Sequence, residues 1–317
     1  MDLRGFIKKI NAQVLFSGSL KYDEPMSSHT TFKTGGPADL LVRPDKSVFA
    51  IWTAAMLKAA KTENIPVFVF GGGANLLVSD KGIRGIVLDM GSWEGIGEAE
   101  KCEGISGYKV KILAGTQVKS FTETLADRGF GGLEFLAGMP GTAGGAVWMN
   151  ARCYEKQISD VLIETEILDE NYENTICPAN PNEFSYKKSP FQKRNVLILS
   201  AVFNVMLGDT AAIKNEIEKN KNDRMEKGHY RFPSAGSVFK NNHEFGEPTG
   251  KIIADLGMRG MAKGGAQIAP WHGNFIINTG SAVSADIRFL MEEIILRVRR
   301  ERGFELEPEI ILAGDWS

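Results

Sequence analysis

Cysteine and histidine are scarce in this 317-residue chain, which contains three cysteines and four histidines. Cys102, Cys153 and Cys177 lie far apart and form no Cys-x-x-Cys pair. The sequence therefore predicts neither a disulfide framework nor a metal site of the zinc type. Such sparse cysteine usage is typical of a reducing compartment.

An excess of charge of one sign and long apolar runs are also missing. The chain has 37 basic and 39 acidic residues, a formal net charge of -2, so no nucleic-acid or membrane-binding surface is indicated. No apolar run approaches the roughly 18 residues needed to cross a bilayer. Residues 1–22 lack the apolar core and cleavage site of an export signal. We expect a cytoplasmic protein, monomeric, with small molecules as its partners.

The patterns that are present predict an α+β fold. Residues 47–62 and 118–128 have apolar residues at helical spacing, and short strand-like runs surround them without regular alternation. A charged helix over 209–231 marks a change of composition, after which a helix over 284–302 and a last strand in "EPEIILAG" complete a compact α/β module. We expect a sheet region over 1–208, in two subdomains divided near 70–80, and a C-terminal domain over 209–317.

Two glycine-rich stretches are candidates for a ligand site. In "GGGANLLVSD", Gly71 to Gly73 leave a strand and allow successive backbone N–H groups to form an anion-binding concavity. In "AGMPGTAGGAVWMNARCY", four glycines and Thr142 lie beside apolar residues, which suits a planar ring and a diphosphate. Neither stretch matches a P-loop or a Gly-x-Gly-x-x-Gly fingerprint, and simple turns beside core residues remain the alternative.

Seven motifs, in order along the chain, resemble one enzyme family, UDP-N-acetylenolpyruvoylglucosamine reductase, also called UDP-N-acetylmuramate dehydrogenase or MurB. The motifs are "TTFKTGGPADLLVRP", "GGGANLLVSD", "GLEFLAGMPGTAGGAVWMNA", "FSYKKSPFQ", "PSAGSVFKN", "GGAQIAPWHGNFIIN" and "LEPEIILAG". The resemblance implies a two-part FAD-binding region, similar to the vanillyl-alcohol-oxidase-like flavoenzymes, and a C-terminal substrate-binding domain.

The resemblance also implies a reaction. NADPH reduces non-covalently bound FAD, and hydride then passes to C3 of the enolpyruvyl group of a UDP-sugar, giving UDP-N-acetylmuramate for peptidoglycan synthesis. The residues that would bind FAD are Gly35, Gly36, Gly71, Gly72, Gly73, Ala74, Asn75, Leu76, Gly138, Pro140, Gly141, Thr142, Gly144, Gly145 and Val147.

Three residues match the catalytic positions of the family. Ser237, in "GSVFK", would donate a proton to C2, and Glu309, in "LEPE", would lie against the substrate carboxylate and favour its enolic form. Where the family usually has Tyr-Arg-x-Ser, this chain has Lys187, which keeps the charge but lacks the bidentate fork of arginine. Arg152, where the family more often has glycine or alanine, is a weaker candidate for the same role.

The remaining contacts concern the UDP-sugar. The substrate-binding candidates are Tyr186, Asn241, His272, Arg224 and Lys227. The interval from Lys187 to Ser237 is too short for the extra tyrosine-bearing loop of one subclass, so the shorter subclass is expected. Another FAD-linked oxidase or dehydrogenase of the same fold, or a non-catalytic FAD-binding protein, are the alternatives.

Overall fold

The computed structural model describes residues 1–101, 104 and 106–317, and Cys102 lies outside the described residues. The chain divides into two compact units. Unit 1 contains Met1–Tyr22, Leu40–Gly72 and Gly85–Asn222, and unit 2 contains Asp23–Asp39, Gly73–Arg84 and Asp223–Ser317. Unit 2 therefore combines the C-terminal part of the chain with two segments from its N-terminal third. The expected functional division after residue 208 stays a prediction.

Most of the elements expected from periodicity are present. The helices are α1 (Leu3–Asn11), α2 (Phe49–Thr62), α3 (Val118–Asp127), α4 (Ala143–Trp148), α5 (Thr210–Glu226), α6 (Thr249–Asp255) and α7 (Ser284–Arg302). The strands are β1 (Gly18–Pro25), β2 (Pro37–Pro44), β3 (Val67–Phe70), β4 (Leu76–Val78), β5 (Ile83–Asp89), β6 (Glu100–Lys101), β7 (Tyr108–Leu113), β8 (Phe130–Gly131), β9 (Arg152–Cys153), β10 (Lys156–Gln157), β11 (Leu162–Leu168), β12 (Asn174–Pro178), β13 (Leu197–Leu207), β14 (Ala262–Lys263), β15 (Ala266–Ile268), β16 (Ile276–Asn278) and β17 (Ile311–Ala313). The helices predicted over 47–62, 118–128 and 284–302 are confirmed as α2, α3 and α7.

Unit 1 is built around β13. This strand lies inside the sheet ordered β12-β11-β13-β7-β6, pairs antiparallel with β11 and β7, and is buried without interruption from Leu197 to Phe203. A continuous apolar run of this kind is typical of a strand covered on both faces. The ring of Phe121, on α3, stacks on Phe203 with centroids 6.3 Å apart. A second sheet, ordered β1-β2-β5-β3, includes the parallel pair β3 and β5.

Unit 2 has its own apolar core, in which α7 is the longest element. The buried face of α7 is formed by Ile287, Leu290, Met291, Ile294 and Val298, the i, i+3, i+4, i+7 and i+11 positions of an amphipathic helix. Gly303 ends the helix in the left-handed region. The antiparallel sheet β14-β15-β16 and the parallel pair β4 and β17 complete the unit.

Two helices are absent from the sequence-based expectations. In α1, Leu3, Phe6, Ile7 and Ile10 are buried, and the carboxylate of Asp2 accepts a hydrogen bond from Gly5 N at 2.9 Å. Helix α4 lies within the second glycine-rich stretch. No helix in the described part of the chain is both long enough and apolar enough to span a bilayer.

Candidate active site

The two glycine-rich stretches approach each other closely within unit 1. A Cβ atom on Gly71 would collide with Thr142 Oγ1, and one on Gly72 would lie 2.7 Å from the Cα of Gly141. Both contacts are shorter than a Cβ atom tolerates, so glycine is favoured at position 71 by the side chain of Thr142 and at position 72 by the backbone of Gly141. The two stretches are therefore in direct contact within unit 1.

The second stretch uses much of its polar backbone to hold α4 in place. Buried Thr142 precedes the helix, and its Oγ1 accepts a hydrogen bond from Gly145 N at 3.4 Å. The backbone N–H groups of Ala143 and Gly144 donate to the carbonyl oxygens of Thr116 and Ala114, each at 2.9 Å. These amides are therefore occupied by protein acceptors.

Other members of the stretch differ in exposure. Val147 is fully buried in the core of unit 1, Gly138 is half-buried with φ +73°, and Pro140 and Gly145 are exposed. A Cβ on Gly145 would meet no atom closer than 3.5 Å. The protein itself therefore does not require glycine at position 145.

The predicted cofactor glycines of unit 2 also have packing roles. Gly36 N donates to Ser79 O at 2.8 Å, and a Cβ on Gly36 would collide with the carbonyl oxygen of Asp80. Gly35 has φ +124°, and its missing side chain leaves space for Val78. Gly73 has φ +59° and lies against the carbonyl of His29. Close backbone packing therefore explains these three glycines without a ligand.

Backbone amides in the first stretch provide the group that fits a diphosphate. Within the described residues, the N–H groups of Gly71 and Gly72 in unit 1, and of Gly73 and Ala74 in unit 2, donate no hydrogen bond. Gly73 is buried and the other three residues are half-buried. Successive backbone N–H groups that have no protein acceptor can form an anion site. The two successive amides of unit 1, those of Gly71 and Gly72, therefore suit an anionic group such as a phosphate of FAD.

Ser237 and Glu309 lie on neighbouring segments of unit 2. The backbone N–H of Glu309 donates to Val238 O at 2.7 Å, directly next to Ser237. Asn75, which precedes β4, donates from Nδ2 to Glu309 O at 2.9 Å. Ser237 and Glu309 are both half-buried. The structure thus brings together, through backbone pairing, two residues that are distant in the sequence.

Asn274 holds the segment that carries Ser237. Its Nδ2 donates to Phe239 O at 2.8 Å and its Oδ1 accepts from Phe239 N at 2.9 Å, while its backbone carbonyl accepts from Val238 N at 2.9 Å. Asn274 is 3% exposed and Phe239 is fully buried. The side chain therefore replaces a strand partner. Sequence reasoning did not identify Asn274, although it lies inside the quoted "PWHGNF".

Two histidines pack beside this segment. The His272 ring stacks on Phe275 with centroids 4.0 Å apart, and its Nδ1 accepts from Asn274 N at 3.2 Å. Burial lowers the pKa of His272. Burial, followed by the charge of nearby Arg224, lowers the pKa of His229 to about 3. Both rings are therefore neutral at physiological pH, and His272 carries its proton on Nε2.

The other substrate-binding candidates of unit 2 have protein partners. Asn241 is exposed, and its Oδ1 accepts from Thr249 N at 3.0 Å at the start of α6. Lys227 Nζ donates to Asp223 Oδ2 at 2.7 Å, and Arg224 lies 3.4 Å from His229 Nδ1. The positive charge of Lys227 is thus already partly compensated by a carboxylate.

Tyr186 and Lys187 form the tip of a tight turn in unit 1. Ser185 and Lys188 exchange backbone hydrogen bonds of 3.1 and 3.0 Å, and Lys187 has φ +57° at the third position of the turn. Positive φ at this position normally favours glycine. The Arg152 guanidinium lies 5.6 Å from the centre of the Tyr186 ring. Half-buried Lys187 and Arg152 therefore belong to one local region of unit 1.

Comparisons with known proteins identify the family. The family model described as "UDP-N-acetylenolpyruvoylglucosamine reductase, C-terminal domain" matches residues 228–313, and the model described as "FAD binding domain" matches residues 53–173. The reductase of Treponema denticola is 40% identical, with 97% of each chain covered, and that of Borreliella burgdorferi is 38% identical, with 99% of this chain and 98% of the relative covered. The crystal structure of the Thermus caldophilus reductase gives a TM-score of 0.74 at 27% identity, covering 94% of this chain and 100% of that one.

The predicted α+β class, with an FAD-binding domain and a distinct C-terminal domain, is confirmed. The chain belongs to the UDP-N-acetylenolpyruvoylglucosamine reductase family.

Proposed function

We propose that this protein reduces the enolpyruvyl group of UDP-N-acetylglucosamine enolpyruvate to UDP-N-acetylmuramate, with NADPH as the electron donor and FAD as a dissociable cofactor. Family membership supports the overall reaction. The pairing of the Ser237 and Glu309 segments in unit 2 is the structural observation that carries the proposal. The two residues reach the same neighbourhood without being close in sequence, as a shared chemical role requires.

FAD would bind to the glycine-rich stretches. In unit 1, the amides of Gly71 and Gly72 donate to no protein acceptor and suit a phosphate, and Gly138, Gly141 and Gly145 leave backbone free of side chains. Gly73 and Ala74 are proposed as FAD contacts from the family resemblance. Bound FAD supplies the hydride that is added to C3 of the substrate. Gly35, Gly36, Asn75, Leu76, Pro140, Thr142, Gly144 and Val147 complete the proposed set, several of them through packing rather than direct contact.

Ser237 would donate a proton to C2 as negative charge develops there. A serine hydroxyl is ordinarily a poor acid, but a carbanion centre is a strong enough base to accept its proton. Glu309 would lie against the substrate carboxylate and stabilise its enolic form. Lys187 would place a positive charge on the same oxygens.

The sugar nucleotide would be held by polar groups around these residues. Tyr186 precedes Lys187 in its turn, and neutral His272 offers Nε2–H as a hydrogen-bond donor. Asn241, Arg224 and Lys227 are the further proposed contacts. Between Lys187 and Ser237 the described chain contains a 3-10 helix (Pro190–Lys193), β13, α5 and the connections between them, which supports the subclass without the extra tyrosine loop.

We place the FAD-binding region over 1–208 and the substrate-binding domain over 209–317, and we propose a cytoplasmic monomer. Size-exclusion chromatography with light scattering tests the oligomeric state.

Anaerobic stopped-flow spectroscopy tests the activity. The purified protein is expected to be yellow, to lose its flavin absorbance when NADPH is added, and to regain it when the enolpyruvyl UDP-sugar is added. UDP-N-acetylglucosamine, which lacks the enolpyruvyl group, is the control and must not restore the absorbance. A flavoprotein that NADPH reduces but that the enolpyruvyl substrate does not reoxidise would show that the substrate assignment is wrong.

A further inference from the structure

Unfavourable backbone conformations concentrate around Lys187. Among the described residues, eight non-glycine residues have positive φ, and four of these are Asn150, Tyr154, Glu155 and Lys187. Tyr154 and Glu155 are the two central residues of the hairpin between β9 and β10, where paired positive φ values normally select asparagine and glycine. Clustered strain of this kind persists where the surrounding structure imposes it, and it is common at functional sites.

Asn150 connects the two turns that carry the strain. Its Nδ2 donates to Ser185 O at 3.0 Å, at the base of the Lys187 turn, and to Gln157 Oε1 at 3.3 Å, on the hairpin. Its Oδ1 accepts from Ser159 N at 3.0 Å. Asn150 is fully buried, and its amide is satisfied by the Lys187 turn, the hairpin and the segment directly after β10. The relative positions of the hairpin and the turn are therefore fixed.

Arg152 is the cation that this hairpin presents. It lies in β9 opposite Gln157, is half-buried, and places its guanidinium 5.6 Å from the ring of Tyr186, next to Lys187. No ion pair of Arg152 occurs within residues 1–101, 104 and 106–317. An arginine held over an aromatic ring keeps its five N–H donors in a fixed plane and retains the charge for an anion.

We propose that Arg152 and Lys187 form a two-cation clamp on the enolpyruvyl carboxylate, with Asn150 as the positioning residue that holds both turns. This inference rests on the proposed function. Lysine alone offers a point charge without a bidentate fork, and Arg152 supplies the planar fork that carboxylates prefer. Tyr186 supports the Arg152 guanidinium through its ring, so the clamp occupies one continuous region of unit 1.

Isothermal titration calorimetry with two ligands tests the clamp. One ligand is the enolpyruvyl UDP-sugar and the other is UDP-N-acetylglucosamine, which lacks the carboxylate. Loss of a charge-assisted contact in Arg152→Ala is expected to weaken binding of the first ligand roughly 10-fold to 100-fold and that of the second less than about 2-fold. Arg152→Lys should recover part of the loss, since it restores charge without the fork.

Lys156→Ala is the matched control, because it removes one positive charge from an exposed position of the same hairpin. Tyr186→Phe keeps the ring beside Arg152 and removes only the hydroxyl, so any loss of affinity should be equal for the two ligands, whereas Tyr186→Leu should in addition weaken binding of the enolpyruvyl ligand. An equal loss for both ligands in Arg152→Ala would show a structural role and overturn the inference, as would wild-type affinity for both.

If the wild type does not reduce the enolpyruvyl substrate, the proposed function is itself wrong and the clamp is rejected with it. Normal wild-type turnover with an unaffected Arg152→Ala variant rejects the clamp alone.

Discussion

Replacing Asn274 by alanine should loosen the backbone that carries Ser237 and Glu309. The substitution removes two hydrogen bonds, of 2.8 and 2.9 Å, and leaves the N–H and C=O of fully buried Phe239 unpaired. Each unpaired buried group costs about 1 to 3 kcal/mol. Water entering the space left by the side chain offsets part of this, so we expect a local destabilisation of about 3 kcal/mol.

Hydrogen–deuterium exchange read by mass spectrometry measures this effect directly. A loss of about 3 kcal/mol in the free energy of local opening corresponds to roughly 100-fold faster exchange. Peptides that contain Val238 and Glu309 should show it, because the amide of Glu309 bonds to the Val238 carbonyl. Asn242→Ala is the control: the side chain of this exposed asparagine accepts from Glu244 N at 3.0 Å, and its loss should leave those peptides unchanged. Unchanged exchange in Asn274→Ala would refute the view that its amide holds the segment.

Three further predictions concern chemistry, cofactor and pH. Ser237→Ala should leave the rate of flavin reduction by NADPH unchanged. In stopped-flow traces it should slow flavin reoxidation by the enolpyruvyl substrate by roughly 10²-fold to 10⁴-fold. Equal slowing of both steps would contradict the role of Ser237 as proton donor. Gly72→Ala should lower the FAD content measured by flavin absorbance, whereas Gly208→Ala, whose Cβ would lie 3.4 Å from its nearest neighbour, should not. In the folded protein the pKa of His229 is about 3, against an ordinary value of 6.5. Between these two pH values the ring is protonated in the unfolded chain but not in the folded protein. The free energy of unfolding should therefore fall as the pH drops from 6.5 towards 3. Because the ring is half-buried, we expect His229 to contribute under about 1 kcal/mol per pH unit to the slope of the unfolding free energy with pH. Urea unfolding at several pH values should show a smaller slope in His229→Phe. The exposed His243→Phe should leave the slope unchanged.

Secondary structure could be predicted from the sequence wherever the apolar period was long. Helix α7 matches its predicted bounds because five buried residues repeat at helical spacing and a glycine follows. Helix α1 has the same signal over a shorter span of nine residues, together with an Asp2 cap. Helix α4 had no such signal, since it has six residues and two are glycines.

The stability of α4 comes from outside the helix. Its first amides bond to the carbonyls of Thr116 and Ala114, on the chain that follows β7, and Thr142 caps it. A short helix with poor intrinsic propensity forms when tertiary contacts satisfy its end. Local sequence contains no information about which distant carbonyls will be available, so a loop was the reasonable expectation there.

The candidate site was predicted in its residue types but not in the way those residues are held. Ser237, Glu309 and Lys187 were found through resemblance, and their spacing along the chain implied no contact. Asn150 and Asn274 were not singled out, because an asparagine in a glycine-rich motif is ordinarily a turn residue. Each is buried with its amide fully engaged by backbone or side-chain partners, at 0% and 3% exposure.

Burial of such an amide is informative about function as well as stability. A buried asparagine costs free energy unless every donor and acceptor meets a partner at a fixed position, so it specifies one arrangement of the segments that it joins. Asn274 specifies the segment that carries Ser237, and Asn150 specifies the turns that carry Arg152 and Lys187. The residues proposed to act on the substrate are thus positioned by residues that need not touch it. Substitutions at these two asparagines should therefore change the rate of reduction through geometry, while the chemical groups themselves remain intact.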